Sequence, residues 1–288
     1  MPQSVSENHV RLRAPEPWML AGRTFAWGER TYVMGIVNVT PDSFSDGGRV
    51  AAQDAIAHGL KLLADGADVL DVGGESTRPG SQAVSVDEEL SRILPVIRAL
   101  TDRGAVISVD TCKPEVADAA LAAGAALLND ITGLRQPAML EVAARHGVPA
   151  IAMHMQGTPQ TMQDDPRYDD VVAEVRDFLV EAALKARAKG VPVMIDPGPG
   201  FGKTVEHNLT LLRHLDRLHV ENCPTLLATS RKGFIGKVLD LPVEERLEGT
   251  LATLALGVSR GADMVRVHDV KEAVRAVRMA DAIVRGRP

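Results

Sequence analysis

Aromatic residues are scarce in this chain of 288 residues, at 3% of the total. That scarcity argues against the stacked aromatic platforms that single-stranded nucleic acids use. Two cysteines, Cys112 and Cys223, are too few for a disulfide scaffold and read as reduced thiols. Positive charge is not in excess: the formal net charge is −6 and the pI about 5.8, which excludes an electrostatic grip on nucleic acid. No apolar run approaches the roughly 18 residues of a membrane helix. The first 17 residues are polar, carry Glu7, Arg11, Arg13 and Glu16, and lack the apolar centre of a secretory leader. The expectation is a cytoplasmic protein that binds neither nucleic acid nor membrane.

Present instead is a repeated unit. Six times a helical pattern ends at glycine, Ala or Val follows, and a short apolar run stops at polar residues. The glycines are Gly66, Gly104, Gly124, Gly147, Gly190 and Gly261. Glycine just past a helix accepts the left-handed conformation that ends it. Apolar runs without strict alternation suit parallel strands covered on both faces. Two more strands, Tyr32 to Asn38 and Thr225 to Thr229, bring the number to eight. Helical faces are read at Val171, Val175, Phe178 or Leu179, and Ala182, and at Leu209, Leu212, Leu215 and Leu218 after the N-cap Thr204. Val86 to Leu100 and Val270 to Ile283 also read as helices, the former with Pro95 against it. Eight strand–helix units predict an α/β fold, a single (β/α)8 TIM barrel, over an open doubly wound sheet. A loose tail over residues 1–17 precedes it, and Met19 to Arg30, turning at Gly22 and Gly28, forms a short N-terminal hairpin closing the barrel's bottom. The barrel domain spans residues 18–288.

The expected strand ends carry Asn38, Asp71, Asp110, Asn129 with Asp130, His154, Asp196, Ser230-Arg231-Lys232, Arg266 and His268. One such residue is most simply a helix cap, but eight polar ends on one barrel face predict a pocket. Asp110, Asn129 and Asp196 suit a flat heterocycle with amidine-like N–H groups. Lys232, Arg266 and His268 suit phosphate or diphosphate. Asn38 and a nearby acid could hold Mg²⁺, which takes oxygen ligands shared with substrate phosphates. Two long loops, Thr40 to Gly48 and Gly73 to Ser81, combine turn formers with hydroxyls and charge, as lids over phosphate do. Gly198 to Thr204 looks like a phosphate loop, but it has three residues, not four, between the first glycine and Gly202-Lys203.

From Met34 to Ala282 the chain resembles the dihydropteroate synthase family of folate biosynthesis, the target of sulfonamides. The resemblance is carried, in order, by the segments Met34 to Gly48, Asp71 to Gly80, Ser108 to Thr111, Asn129 to Ile131, Met153 to Gly157, Asp196 to Gly198, Ser230 to Lys232 and Arg266 to Asp269. It implies a pterin-binding TIM barrel, active as a homodimer, that joins 6-hydroxymethyl-7,8-dihydropterin diphosphate to 4-aminobenzoate. It further implies that Asp110, Asn129, Asp196 and Lys232 bond the pterin, with Met153 among the substrate-binding residues. Arg266 and His268 would hold diphosphate, with Mg²⁺ at Asn38 and Asp42. Thr77, Arg78 and Pro79 would shape the aminobenzoate site beside Phe201. Asp110, Lys232, Arg266 and His268 are the residues expected to carry catalysis. Two positions depart from the family pattern: Pro199, where Ile, Phe or Met is frequent, and Gly233, where Ser is frequent. Competing readings are a corrinoid-dependent methyltransferase of similar fold, a Schiff-base aldolase acting through Lys232, and a catalytically silent relative. Cys112 reads as a packing residue.

Overall fold

The computed structural model describes residues 14–39, 49–76 and 83–286. A hairpin comes first, β1 (Trp18–Leu20) and β2 (Arg23–Phe25), paired antiparallel with Leu20 opposite Arg23. The two residues between them, Ala21 and Gly22, have φ of 44° and 77°, the double positive φ of a type I′ turn.

The barrel follows, with strand and helix alternating as far as β9. It runs β3 (Tyr32–Asn38), α1 (Arg49–Ala64), β4 (Val69–Gly73), α2 (Val86–Thr101), β5 (Ile107–Asp110), α3 (Pro114–Ala122) and β6 (Leu127–Asp130). It continues through α4 (Pro137–His146), β7 (Ala150–Met153), α5 (Val171–Ala188), β8 (Val193–Asp196), α6 (Val205–Arg213) and β9 (Leu226–Leu227). Two helices, α7 (Gly233–Leu239) and α8 (Leu247–Ser259), then lead to β10 (Met264–Val267) and α9 (Val270–Arg285). The sheet order is β8-β7-β6-β5-β4-β3-β10-β9, all parallel. A bridge between Ile195 and Thr225, with Ile195 N–H donating to the Pro224 carbonyl at 2.9 Å, joins the two edges. All eight expected strands are present, and the seam excludes the open sheet.

All six junction glycines have positive φ, as helix-terminating residues should. Helix starts also follow from the sequence. Ser85 caps α2, Asp170 caps α5, and Thr204 forms a capping box with His207 at α6. Pro114 and Pro137 stand at the first positions of α3 and α4, where no N–H is needed. Pro95 does not break α2. Ile93, Val96, Ile97 and Leu100 on that helix are fully buried, and about 1.5–3 kcal/mol for each such side chain outweighs a cost of about 3 kcal/mol for the proline. One expected face is corrected: Leu209 is exposed, and Asn208, Leu211 and Leu212 are buried instead. The helix ends at Arg213, and Leu215 and Leu218 pack from a separate 3₁₀ turn, so a single 3.6-residue period does not span the segment.

The hairpin closes the barrel's lower end as expected. Trp18, Leu20, Phe25, Trp27 and Tyr32 form one cluster with Met34, Val69, Val106, Leu127, Ile151, Met194, Leu226 and Met264. The last eight come one each from the eight strands or the residue just before them, so they mark the inward-pointing parity of the barrel. Four of the nine aromatic residues, Trp18, Phe25, Trp27 and Tyr32, thus sit in this plug. Residues 1–13 of the expected tail lie outside the described residues. Among the described residues no helix is long and apolar enough to cross a membrane.

Candidate active site

Side chains on a strand alternate between faces, so counting in twos from the plug identifies what lines the barrel higher up. From Val69 the count reaches Asp71, from Val106 Ser108 and Asp110, and from Leu127 Asn129. From Ile151 it reaches Met153, from Met194 Asp196, and from Met264 Arg266 and His268. Met34 leads to Ile36 and Asn38, and Leu226 leads past Ala228 to Ser230. Eight apolar residues below become a mostly polar set above, and the acidic members are buried.

Hydrogen bonds tie this set across the barrel. Asp71, 0% exposed, accepts from Arg266 Nε at 2.5 Å and from Asn129 Nδ2 at 2.9 Å through the same Oδ2. Arg266 Nη2 donates to Asp110 Oδ2 at 2.7 Å. Asp71 Oδ1 and Asp110 Oδ1 are buried without a hydrogen-bond partner among the described residues. Burial holds the Asp110 carboxyl well above the ordinary carboxylate range, with Arg266 pulling it back and Asp71 adding to the rise. The same desolvation raises Asp196, offset by Lys232, by the Gly198 N–H bonded to its Oδ1 at 2.7 Å, and by Lys203 and Arg266.

The residue Lys232 precedes α7. Its ammonium lies 4.6 Å from the centre of the Phe201 ring and donates to the Pro199 carbonyl. Burial lowers it to about 8, against the attraction of Asp196 and with the repulsion of Arg266. Phe201 packs against Ile131, Met153, Met155 and Met162. The end of β8, the loop after it and the residue before α7 thus bring an acid, a ring and a cation to one place.

Not every polar strand end points inward. His154 has the opposite parity to Met153 and packs outward on Phe178 and Tyr168. Burial, with Lys203 and Arg135 nearby, drives its ring down to about 3, so it is neutral and accepts from Lys203 Nζ at 2.9 Å through Nδ1. Asp130 likewise turns away and accepts from Thr132 and Leu134 in its own loop. Asn38 stands exposed at the end of β3.

Sequence reasoning missed two functional candidates. Asp71 was read only as a strand end, although its parity with Val69 marks it as inward. Lys203 is 3% exposed and its ammonium is bonded to His154 Nδ1 and to the carbonyls of Gly198 and Phe201 at 3.0 and 2.9 Å. The segment that imitates a phosphate loop therefore uses its lysine as an internal brace. Cys112 lines a small cavity with Asp110, Glu75 and Glu89, and burial pushes its thiol up to about 11. It is not an activated nucleophile. Asp42, Thr77, Arg78 and Pro79 lie outside the described residues.

The model of the pterin-binding enzyme family matches residues 34–268, which include every inward residue above. This chain belongs to the pterin-binding enzyme family. Within it, the chain is 48% identical over 256 residues to the dihydropteroate synthase of Escherichia coli strain K12, covering 87% of this chain and 91% of that one. It is also 48% identical over 265 residues to the Bacillus subtilis dihydropteroate synthase, covering 90% of each. Among solved structures, the Yersinia pestis dihydropteroate synthase with a sulfonamide drug has a TM-score of 0.88 at 42% identity, covering 94% of this chain and 100% of that one. The Xanthomonas albilineans enzyme with 4-aminobenzoic acid reaches 0.87 at 48%, covering 96% and 100%. The same enzyme in complex with 7,8-dihydropteroate reaches 0.84 at 45%, covering 95% and 100%.

Proposed function

We propose that this chain is a dihydropteroate synthase, a transferase that joins 6-hydroxymethyl-7,8-dihydropterin diphosphate to 4-aminobenzoate. The products are 7,8-dihydropteroate and diphosphate. The observation that carries the reading is the buried floor of Asp71, Asp110, Asn129 and Asp196 around Arg266, in a chain nearly half identical to enzymes of that name. Buried acceptor oxygens without partners cost about 1–3 kcal/mol each, and a flat ring bearing several N–H donors relieves that cost. A pterin is such a ring.

In this reading Asp196 and Asn129 bond the pterin edge, Asp110 takes a further donor, and Lys232 lies against its face or carbonyl. The bond from the pterin methylene to the diphosphate oxygen breaks, and the pterin delocalises the positive charge left on carbon. Arg266 has five N–H donors, two of them committed to Asp71 and Asp110. The others, with His268, meet the negative charge that grows on the departing diphosphate. The aminobenzoate nitrogen then bonds to the methylene and loses a proton to solvent. A neutral aniline needs no general base, in keeping with the high thiol of Cys112. Phe201, beside Lys232, borders the aminobenzoate site, together with Thr77, Arg78 and Pro79.

Mg²⁺ fits this site as a shared ion rather than a caged one. No group of three or more His, Cys, Asp or Glu side chains among the described residues could hold a metal. Asn38, exposed at the end of β3, offers one amide oxygen, which suits an ion that keeps waters and substrate phosphates as its other ligands. Asn38 and Asp42 would hold it, and when bound it supplies Lewis-acid stabilisation of the leaving oxygens. Residues 18–288 act as one catalytic domain in this reading, working in the cytoplasm. The homodimer would form on the outer face of α8 and α9, where Leu256, Met279 and Ile283 are exposed.

The test is diphosphate release by the purified chain with Mg²⁺ added. Release should require both the pterin diphosphate and 4-aminobenzoate. No turnover with pure reagents, or borohydride trapping of a carbonyl substrate on Lys232, overturns the proposal.

A further inference from the structure

Ser230, just beyond β9, and His268, just beyond β10, are joined twice. The Ser230 Oγ lies 2.9 Å from His268 Nδ1, and it accepts the main-chain N–H of the same His268 at 3.1 Å. The next residue in each segment repeats the pairing. Arg231 makes two 2.7 Å bonds to Asp269, and its own N–H donates to Thr250 Oγ1 at 3.0 Å. Two successive rungs therefore hold Ser230 and His268 in fixed register.

The proton inventory at this pair has one economical solution. A main-chain N–H can only donate, so Oγ is the acceptor in that contact. The hydroxyl then has one lone pair and one hydrogen for the imidazole. If Nδ1 carried the ring hydrogen, Oγ would accept both bonds, and its own hydrogen would have no acceptor among the described residues. Ser230 is 6% exposed, so water offers little relief. A buried donor left without an acceptor is the costlier arrangement. If the hydroxyl donates to Nδ1 instead, both Ser230 contacts are satisfied and the ring hydrogen resides on Nε2.

We propose that Ser230 is a positioning residue that fixes neutral His268 as its Nε2–H tautomer. The second-ring nitrogen is then a hydrogen-bond donor without the ring having to be charged. A departing diphosphate offers only acceptors, so the tautomer matches the ligand chemistry, whereas the alternative would turn a lone pair toward it. The use made of the tautomer rests on the reaction proposed above. Its existence does not, because it is a property of the free chain.

The experiment is a long-range proton–nitrogen correlation spectrum of the chain labelled with ¹⁵N-histidine, near pH 8, above the ordinary imidazole range. Disappearance of one ring's signals in His268→Gln assigns them. Nδ1 of His268 should resonate as a pyridine-like acceptor and Nε2 as a pyrrole-like donor. In Ser230→Ala both nitrogens should move toward intermediate values, and Ser230→Thr, which keeps the hydroxyl, should restore the parent pattern. Kinetics supply the second arm. Ser230→Ala should lower kcat about tenfold, a fraction of what removing a whole charge-stabilising donor costs, with little change in either KM. A pyrrole-like Nδ1 in the parent chain, a charged ring at that pH, or a parent pattern unchanged in Ser230→Ala overturns the proposal. So does a tautomer shift with no loss of kcat. The parent spectrum decides the tautomer even if Ser230→Ala does not fold, or if the chain turns over no pterin.

Discussion

Arg266 Nε donates to Asp71 Oδ2 at 2.5 Å, and that carboxylate is fully buried. The guanidinium that faces the proposed diphosphate is therefore held from below by an acid on a different strand. Asp71→Ala removes this support and strands Asn129 Nδ2 as well. Breaking a buried ion pair on one side costs about 3–5 kcal/mol. A urea titration should display that loss, and turnover should fall with it. A midpoint unchanged from the parent would mean that Asp71 does not hold Arg266.

Asp196 Oδ1 accepts the Gly198 N–H at 2.7 Å, and an asparagine oxygen can still do so. Asp196→Asn should therefore fold. It should weaken pterin binding by about tenfold or more, the worth of a charge-assisted hydrogen bond. Mg²⁺ binding should change far less. Calorimetry with each ligand separates the two, and unchanged pterin affinity would remove Asp196 from the pterin site.

Lys232 brings a pH signature with two signs. Burial lowers its ammonium in the folded chain to about 8, below the ordinary lysine value of 10.5. Between those values the unfolded chain holds more protons, so this residue's contribution to stability rises with pH there and flattens above. Substrate holding runs the other way, and kcat/KM should fall as pH rises through about 8. In Lys232→Arg the alkaline limb should disappear. A limb that persists in the arginine variant belongs to another group.

A methyl group at Gly198 would lie 2.0 Å from the His154 carbonyl oxygen, and the backbone there has φ of 63°. Both the clash and the left-handed conformation exclude side chains. Gly198→Ala should destabilise the chain by more than the roughly 1 kcal/mol of the conformational effect alone. Binding at Asp196 should be lost too, since the loop must shift. Thermal melting with a pterin titration checks both effects.

Gly233 differs: a Cβ built on it meets nothing within 4 Å, and it opens α7 beside Lys232. Gly233→Ser should fold at least as well as the parent, with about 0.5 kcal/mol in its favour from helix propensity. It would also supply a hydroxyl where the family commonly has one, and KM for 4-aminobenzoate should fall a few-fold. An unchanged KM would mean that the main-chain N–H already suffices.

Much of this molecule is written locally. The six junction glycines, the caps Ser85, Asp170 and Thr204, and the apolar runs define eight strand–helix units without any knowledge of distant contacts, because each depends on neighbours within a turn or two. Asp110, Asn129, Asp196, Lys232, Arg266 and His268 were legible for a related reason: polar residues ending buried strands have no local purpose that recurs so often. Tertiary structure decided which of them meet. Asn129 and His154 both lie at the upper ends of their strands' segments, yet parity turns the first inward to Asp71 and the second outward to Phe178. Arg266 and Asp71 are 195 positions apart, and only barrel closure makes them partners. Lys203 and Ser230 were invisible as braces because bracing depends on what lies across the space between strands. A sequence specifies the parity of each strand, but the register between strands determines which residue stands opposite.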